Sequence, residues 1–597
     1  MKSWPARALL LAGSACLLVA IPASSQEPEA PESLLPPGFG DPQNLPPPDE
    51  ETPSAPRPRP GEPPTVPSPA VQESAELEEE ELDPLERPRP LNYFSIPEGA
   101  ARPVDPVGPL EPGNFGLAQN AFGRANGAYL VALMHRLDAP LPSRWTSILL
   151  RRALLSRLAA PPLIHPVDWV AARADLLLRM GEADGARLLV QSVDQEFYTP
   201  RMIEAAAQTA LATSDPAALC PLVGPSGSSD AVWRLAEAMC AALEGEAAHA
   251  SALVDEARRR GGVGGVDVLL AEKVIGAGPE ARRAASIQWD EVGALNAWRF
   301  GLASATGAEI PERLVREASL PIQAWLARAP MVPIEQRLGA ASVAASLGVF
   351  SSHSLVEIHS LMLDRTDVAE AGGTVGARLR TAWTHRQPGE RLETMRALWR
   401  EPETAHERHA RLILTAGAAA RIPPSADFAS DADDLIASML TAGMDRQAAR
   451  WSSVVEESAR DRAWAMLAVA APGRVVDLSA GRVESFVASD GSAGRRRSQM
   501  LVAALAGLER LAEGDVPALA AALDVRLGGD DRWSEEIDRA ARDREPGSVV
   551  LLAAVGMQTR DWYGVPPQYL FRIVRSLRAV GLEYEARMIA AEALARL

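Results

Sequence analysis

Lysine is almost missing from this chain. Of its 60 basic residues only Lys2 and Lys273 are lysines; every other one is arginine. Cysteine is scarce, at three residues, and aromatic side chains make up only 5%. Beyond the first 25 residues no apolar run reaches the roughly 18 residues that a membrane-spanning helix requires, which excludes an ordinary span in the rest of the chain. The formal net charge is −18, and no basic excess of the kind that binds nucleic acid is expected. The arginine bias, with abundant Ala, Gly and Pro, points to a GC-rich bacterial genome.

What is present begins with a leader. In "MKSWPARALLLAGSACLLVAIPASSQ", Lys2 and Arg7 form a positive head, Ala8 to Ile21 an apolar segment, and Ala23-Ser24-Ser25 a small-residue cleavage site. This pattern is a secretory signal peptide over 1–25, cleaved near Ala23 or Ser25. A retained anchor and a lipidated Cys16 are the alternatives. Against lipidation, Gly13 stands where a leucine is wanted, and the apolar stretch continues past the cysteine. Together with the composition, the leader predicts a secreted protein of the Gram-negative periplasm.

Residues 26–90 are mostly Pro, Glu, Ala and Ser, as in "LPPPDEETPSAPRPRP" and "ESAELEEEELDPLERPRP". Such a stretch cannot bury enough apolar surface to offset its ordering entropy, so it predicts a disordered tether. Residues 26–115 carry 19 acids against 5 arginines, a net of −14. With +2 from the leader, this leaves only −6 of the −18 on the body. Residues 91–115, with the aromatics of "LNYFSIP", are expected to be extended and to dock on that body.

From residue 116 onward apolar residues recur at three- and four-residue spacing and breaks fall at Gly, Pro, Asp and Ser, without sustained alternation; this predicts helix after helix. Aligning on a turn glycine reveals a unit. Gly181, Gly245, Gly443 and Gly581 are each followed five residues later by alanine: Ala186, Ala250, Ala448 and Ala586. Seven and four residues before the glycine stand apolar residues (Ala174 and Leu177 in the first copy), and eight after it another (Leu189). A glycine that reaches positive φ ends one helix, and the alanine lets the next approach closely. The glycines lie 64, 198 and 138 residues apart, near two, six and four units of about 33. Ser214 occupies the turn position one unit beyond Gly181. A phosphate-binding glycine loop is the rejected reading of "MGEADGAR", which has neither a preceding strand nor a lysine and places two carboxylates at the turn.

Gly-x4-Ala between two helices resembles the tetratricopeptide (TPR) and Sel1-like repeats. That resemblance implies an α-solenoid of antiparallel helical hairpins that serves as a scaffold for protein contacts, each repeat touching mainly its neighbours. The body from "GNFGLAQNAFGRANGAYLVALMHRLDAPLPSRW" onward also resembles uncharacterised secreted alphaproteobacterial proteins, which offer no activity to carry over. The expected layout is a first repeat section over 116–290, an irregular section over 291–430 with closely spaced prolines, and a second repeat section over 431–597.

Four groupings invite a chemical reading. Cys220 and Cys240 are the cysteines left once the leader is removed, and a disulfide is expected between them. Two buried free thiols are the alternative. Glu403, His406 and His409 stand at i, i+3, i+6; a zinc or iron site is weighed against a charged, solvent-facing first helical turn, and the solvated turn is favoured. Asp431, Asp433 and Asp434 match the acid cluster of helical terpene cyclases, but with so few aromatics an N-cap at Ser430 and first-turn aspartates are favoured. His353 and His359 read as local hydrogen-bond partners, and the aromatic "RDWYGVPPQYLFRIV" as a repeat boundary with packing aromatics, favoured over a binding hot spot. No Ser or Cys nucleophile sits in a recognisable motif.

The expectation is a non-catalytic scaffold mediating protein–protein interaction in envelope or cell-wall assembly, with no cofactor, no metal, no nucleic acid and no membrane span after cleavage. The alternative is an envelope hydrolase or a metal-assisted enzyme. Acids clustered in a deep groove would favour the enzyme, and a groove without convergent titratable groups the scaffold.

Overall fold

A computed structural model describes residues 100–278, 286–529 and 531–597. The leader, the tether over 26–90 and the beginning of the 91–115 segment lie outside the described residues. Among the described residues the architecture is all-α, a succession of packed antiparallel helical hairpins. Ahead of the first helix, two isolated bridges, Val107 to Leu158 and Leu110 to Ser156, lay residues 100–111 against the chain leaving helix Arg144–Leu155. Arg102 holds Asp194 through Nε at 2.7 Å.

The turn is the recurring element. Pro166–Arg179 passes into Ala183–Val190 at Gly181, and Ala231–Leu243 into Ala247–Arg260 at Gly245. Ala432–Thr441 passes into Asp445–Ala449 at Gly443, and Pro567–Ala579 into Glu583–Arg596 at Gly581. The four glycines have φ of 88°, 90°, 74° and 85°. In each turn the next residue donates its N–H to the carbonyl five positions back: Glu182 to Leu177, Glu246 to Ala241, Met444 to Met439, Leu582 to Leu577. This is the Schellman closure, which satisfies carbonyls that the helix end leaves free. Ala186, Ala250, Ala448 and Ala586 are all fully buried, where the second helix leaves the turn. After Gly443 that helix is only five residues long and the chain restarts at Ser452.

The same closure recurs where the turn residue is not glycine. Ser214, Ala459, Glu509, Asp524 and Arg544 have φ between 52° and 58°. Each is followed by the same five-back bond, from Asp215 to Ala210 through to Glu545 to Ala540. Within 291–430, Pro311 and Pro333 stand at helix N-caps and Pro321 lies in the first turn, and the helices Glu312–Glu317 and Leu320–Arg328 are only six and nine residues long.

Cys220 and Cys240 form a disulfide across Cα atoms 5.5 Å apart, joining helix Cys220–Ser226 to Ala231–Leu243. By chain entropy, closing a loop of 20 residues stabilises the fold by roughly 3 kcal/mol.

The hairpins meet more than their sequence neighbours. Helix Arg144–Leu155 packs on Pro546–Val555 and Glu583–Arg596, so the start of the body closes on its end. Glu583–Arg596 is buried continuously from Glu585 to Leu594 and also packs against Ala432–Thr441, Asp461–Ala470 and Arg496–Gly507. The last helix is therefore central. A helix apolar on one face only belongs at the edge of a stack, whereas one buried all round belongs inside it.

Closure is built on Glu592. Its carboxylate accepts Ser143 Oγ at 2.7 Å and the Arg144 and Trp145 N–H groups at 2.9 and 3.1 Å. It thereby caps helix Arg144–Leu155 from more than four hundred residues away, where the positive helix end favours an anion. Arg144 then spans the middle of the molecule, donating to the carbonyls of Phe350 at 3.0 Å, Thr441 at 3.4 Å and Ala345.

The arginine bias acquires a structural use here. Arg173, wholly buried, donates to the Leu154, Val107 and Ser156 carbonyls at 2.8, 3.0 and 2.8 Å. Arg179 holds Leu137 and Met134, both at 2.6 Å, and Arg510 holds Ala468 and Ala471 at 2.7 and 2.6 Å. Each pair marks the C-terminal end of another helix, so planar guanidinium forks tie hairpin to hairpin where an ammonium would reach fewer carbonyls. Burial lowers the pKa of Arg173 to about 9 and that of Arg144 to about 10.

Candidate functional site

The hub around Arg144 opens on one side into a cavity of about 740 Å³. Helix Arg144–Leu155 gives it Trp145 and Ile148; helix Ser352–Arg365 gives Val356 and Leu363; helix Val375–Thr384 gives Leu379 and Trp383. Gly417 and Met444 complete the apolar wall.

Two glycines account for the shape. A Cβ on Gly376 would lie 2.4 Å from the His359 carbonyl oxygen, so Gly376 lets these two helices approach backbone to backbone. A Cβ on Gly417 would lie 2.5 Å from Trp383 Cζ2 and 2.6 Å from Cη2, so an edge of the indole abuts bare backbone. The Arg421 guanidinium lies over the ring, 5.6 Å from its centroid, in a cation–π contact. Trp145 is fixed by donation from Nε1 to the Leu440 carbonyl at 3.2 Å and by an edge contact with Tyr584.

Among the described residues the titratable groups on the walls are Arg144, His353 and Arg380, and no carboxylate or cysteine lines the cavity. Arg144 is committed to backbone carbonyls. Arg380 is exposed at the rim and makes no ion pair among the described residues. The antiparallel register that sets Gly376 against His359 and Leu363 carries Arg380 and Thr384 toward Ser352 and His353, at the start of helix Ser352–Arg365.

The other groupings fall elsewhere. Helix Ala405–Ala419 begins after Glu403, so the acid lies before the Thr404 cap and does not share the histidines' helical face. His406 Nδ1 meets Ser346 Oγ at 2.9 Å. His409 is buried against the hub, its Nε2 4.0 Å from Glu592 Oε1, and burial, Arg596 and Arg144 hold its pKa well below the imidazole range. The solvent-facing expectation therefore fails at His409, because the helix is packed between Ile334–Leu347 and Ala432–Thr441. Among the described residues no three His, Cys, Asp or Glu side chains converge to hold a metal ion.

The acid cluster is dispersed into structural bonds. Asp431 takes both arms of Arg396 at 2.6 and 2.7 Å, Asp433 accepts the Ala463 N–H at 2.7 Å, and Asp434 faces Arg462. Burial raises the pKa of Asp434. Ser430 donates its hydroxyl to Asp431 at 2.7 Å instead of capping the helix. In the aromatic stretch Trp562 is buried and Tyr569 stacks on Trp533 with centroids 4.1 Å apart. The turn residues Gly181, Gly245, Gly443 and Gly581 are not brought together into a site.

Sequence reasoning missed the cavity. Its walls come from segments nearly three hundred residues apart, and only Gly376 and Gly417, two glycines inside helices, signalled a close approach. No family model, curated protein or solved structure matches the chain. Among the described residues, no helix is long and apolar enough to cross a membrane.

Proposed function

We propose that the protein is a non-catalytic helical-repeat scaffold of the periplasm that binds protein partners, in envelope or cell-wall assembly. One observation supports binding over chemistry: the cavity at the Arg144 hub is walled by tryptophan, aliphatic and hydroxyl side chains, and among the described residues its three titratable groups include no acid and no nucleophile–base pair. General acid–base and nucleophilic catalysis both require such a pair within hydrogen-bond reach of a reacting atom. The TPR-like and Sel1-like hairpin, with its glycine turn and buried alanine, supports the protein-contact part of the reading, and the leader supports the compartment.

The test is photo-crosslinking in the native host. A crosslinking residue is placed at exposed helix positions, such as Glu357 and Arg400, and the adducts are identified by mass spectrometry. Reproducible adducts with one or a few envelope proteins are expected. Adducts that scale only with protein abundance would overturn the scaffold reading.

A further inference from the structure

The cavity is two-sided in its chemistry, and that asymmetry specifies what fits it. Its floor is apolar: Leu363, Leu379 and the flank of Trp383 offer no hydrogen-bonding group to a polar guest. Its rim is cationic: Arg380 stands there without an ion pair among the described residues, beside the hydroxyl of Thr384. Among the described residues no wall residue is acidic. The volume of about 740 Å³ falls inside the range of roughly 300–1,000 Å³ typical of small-molecule sites.

We propose that this cavity binds a single-chain amphiphile with a carboxylate head, such as a free fatty acid. Its chain lies along Leu363, Leu379 and Trp383, and its head pairs with the Arg380 guanidinium. An apolar body is recognised because the floor gives water nothing to bond to, so displacing that water is favourable. The head is recognised because a guanidinium fork matches a carboxylate in two parallel hydrogen bonds. A positively charged head of the same length meets Arg380 and is rejected, and a neutral alcohol keeps only the floor.

The proposal goes beyond the scaffold reading and is tested separately from it. Dodecanoate and dodecyltrimethylammonium below their micelle concentrations, and dodecanol below its solubility limit, are titrated into the full chain by calorimetry, with wild type compared to Arg380→Ala and Ser360→Trp. Ser360 is an exposed residue on the cavity wall, so a tryptophan there fills space without disturbing the core. The expected result is one site for dodecanoate, with affinity reduced roughly tenfold by Arg380→Ala, the loss of one charge-assisted pair. Binding of dodecanol should not change in Arg380→Ala, the ammonium should bind more weakly than both, and Ser360→Trp should abolish the site.

Circular dichroism and thermal unfolding check that both variants are folded. A variant that fails to fold is replaced by Arg380→Gln or Ser360→Phe. Equal binding of all three amphiphiles, indifference to Arg380→Ala, or no binding at all would overturn the proposal. The scaffold reading stands or falls on the envelope crosslinks: failure of dodecanoate leaves those crosslinks in place, and absence of crosslinks leaves the dodecanoate site in place.

Discussion

Replacing Glu592 with alanine tests whether the body is a closed array. The carboxylate accepts Ser143 Oγ, the N–H groups of Arg144 and Trp145, and Arg596 Nη1 at 3.0 Å. Its side chain is only 4% exposed, so water cannot replace it. Loss of a helix cap alone costs about 1 kcal/mol. Here buried donors are also left unmatched and Arg144 and Arg596 lose their anion, which brings the cost to about 3–5 kcal/mol, the range for removing one partner from a buried ionic network. Glutamine at the same site keeps one acceptor oxygen and should lose about half as much. Hydrogen exchange read by mass spectrometry separates the alternatives, because it reports opening energies segment by segment. In Glu592→Ala, protection should fall together over 143–155 and 583–596. A loss confined to 583–597, or a change below about 1 kcal/mol, would refute the closure argument and restore an open stack.

Three further outcomes follow from the same contacts. Enlarging Ala586 to Leu should cost about 1–3 kcal/mol and spread to 143–155 and 461–470, whereas Ala186→Leu should disturb mainly 166–212. Hydrogen exchange checks both, and the larger effect at Ala586 reverses what an open array requires. Arg173→Lys removes a fork from three buried carbonyls and should lower stability in urea by about 2–4 kcal/mol, despite the retained charge. His359, whose pKa burial lowers to about 4 with help from Arg411, is neutral when folded and protonated when unfolded between pH 4 and 6.5. The unfolded state binds the extra proton there, so stability falls with falling pH, by about 2 kcal/mol between pH 7 and 5. His359→Leu should flatten that part of the urea-midpoint profile relative to wild type.

The hairpins were legible where the turn leaves a residue-type mark. Glycine at positive φ with a buried alanine five residues on is such a mark, and Gly181, Gly245, Gly443 and Gly581 carry it. Ser214 entered only by spacing, and Glu509, Asp524 and Arg544 make the same turn unseen, because a left-handed backbone in a polar residue looks like any loop residue. Closure was illegible for a related reason. Glu592 and Arg596 form an i,i+4 pair, the usual sign of a solvated face, and nothing local shows that the carboxylate also caps a helix elsewhere. Glu403 was read into the helix that begins after Thr404, and His409 was misplaced because nothing local shows that helix packed between Ile334–Leu347 and Ala432–Thr441.

Closure and cavity share parts, and this links their energetics. Trp145 stands on the cavity wall, yet its N–H is held by Glu592, and Arg144, also on the wall, is the side chain that reaches across the hub. A guest that needs the wall in place therefore binds the closed body better than the opened one. Such a guest stabilises the closed state by about 2.7 kcal/mol at a hundred times its dissociation constant. Saturating dodecanoate should then slow exchange over 583–596, a helix most of whose residues do not touch the cavity, as well as over 352–384. By reciprocity, Glu592→Ala should weaken dodecanoate even though the carboxylate does not line its site. Protection gained only at the lining residues, with affinity unchanged in Glu592→Ala, would mean that the wall is rigid without the closure.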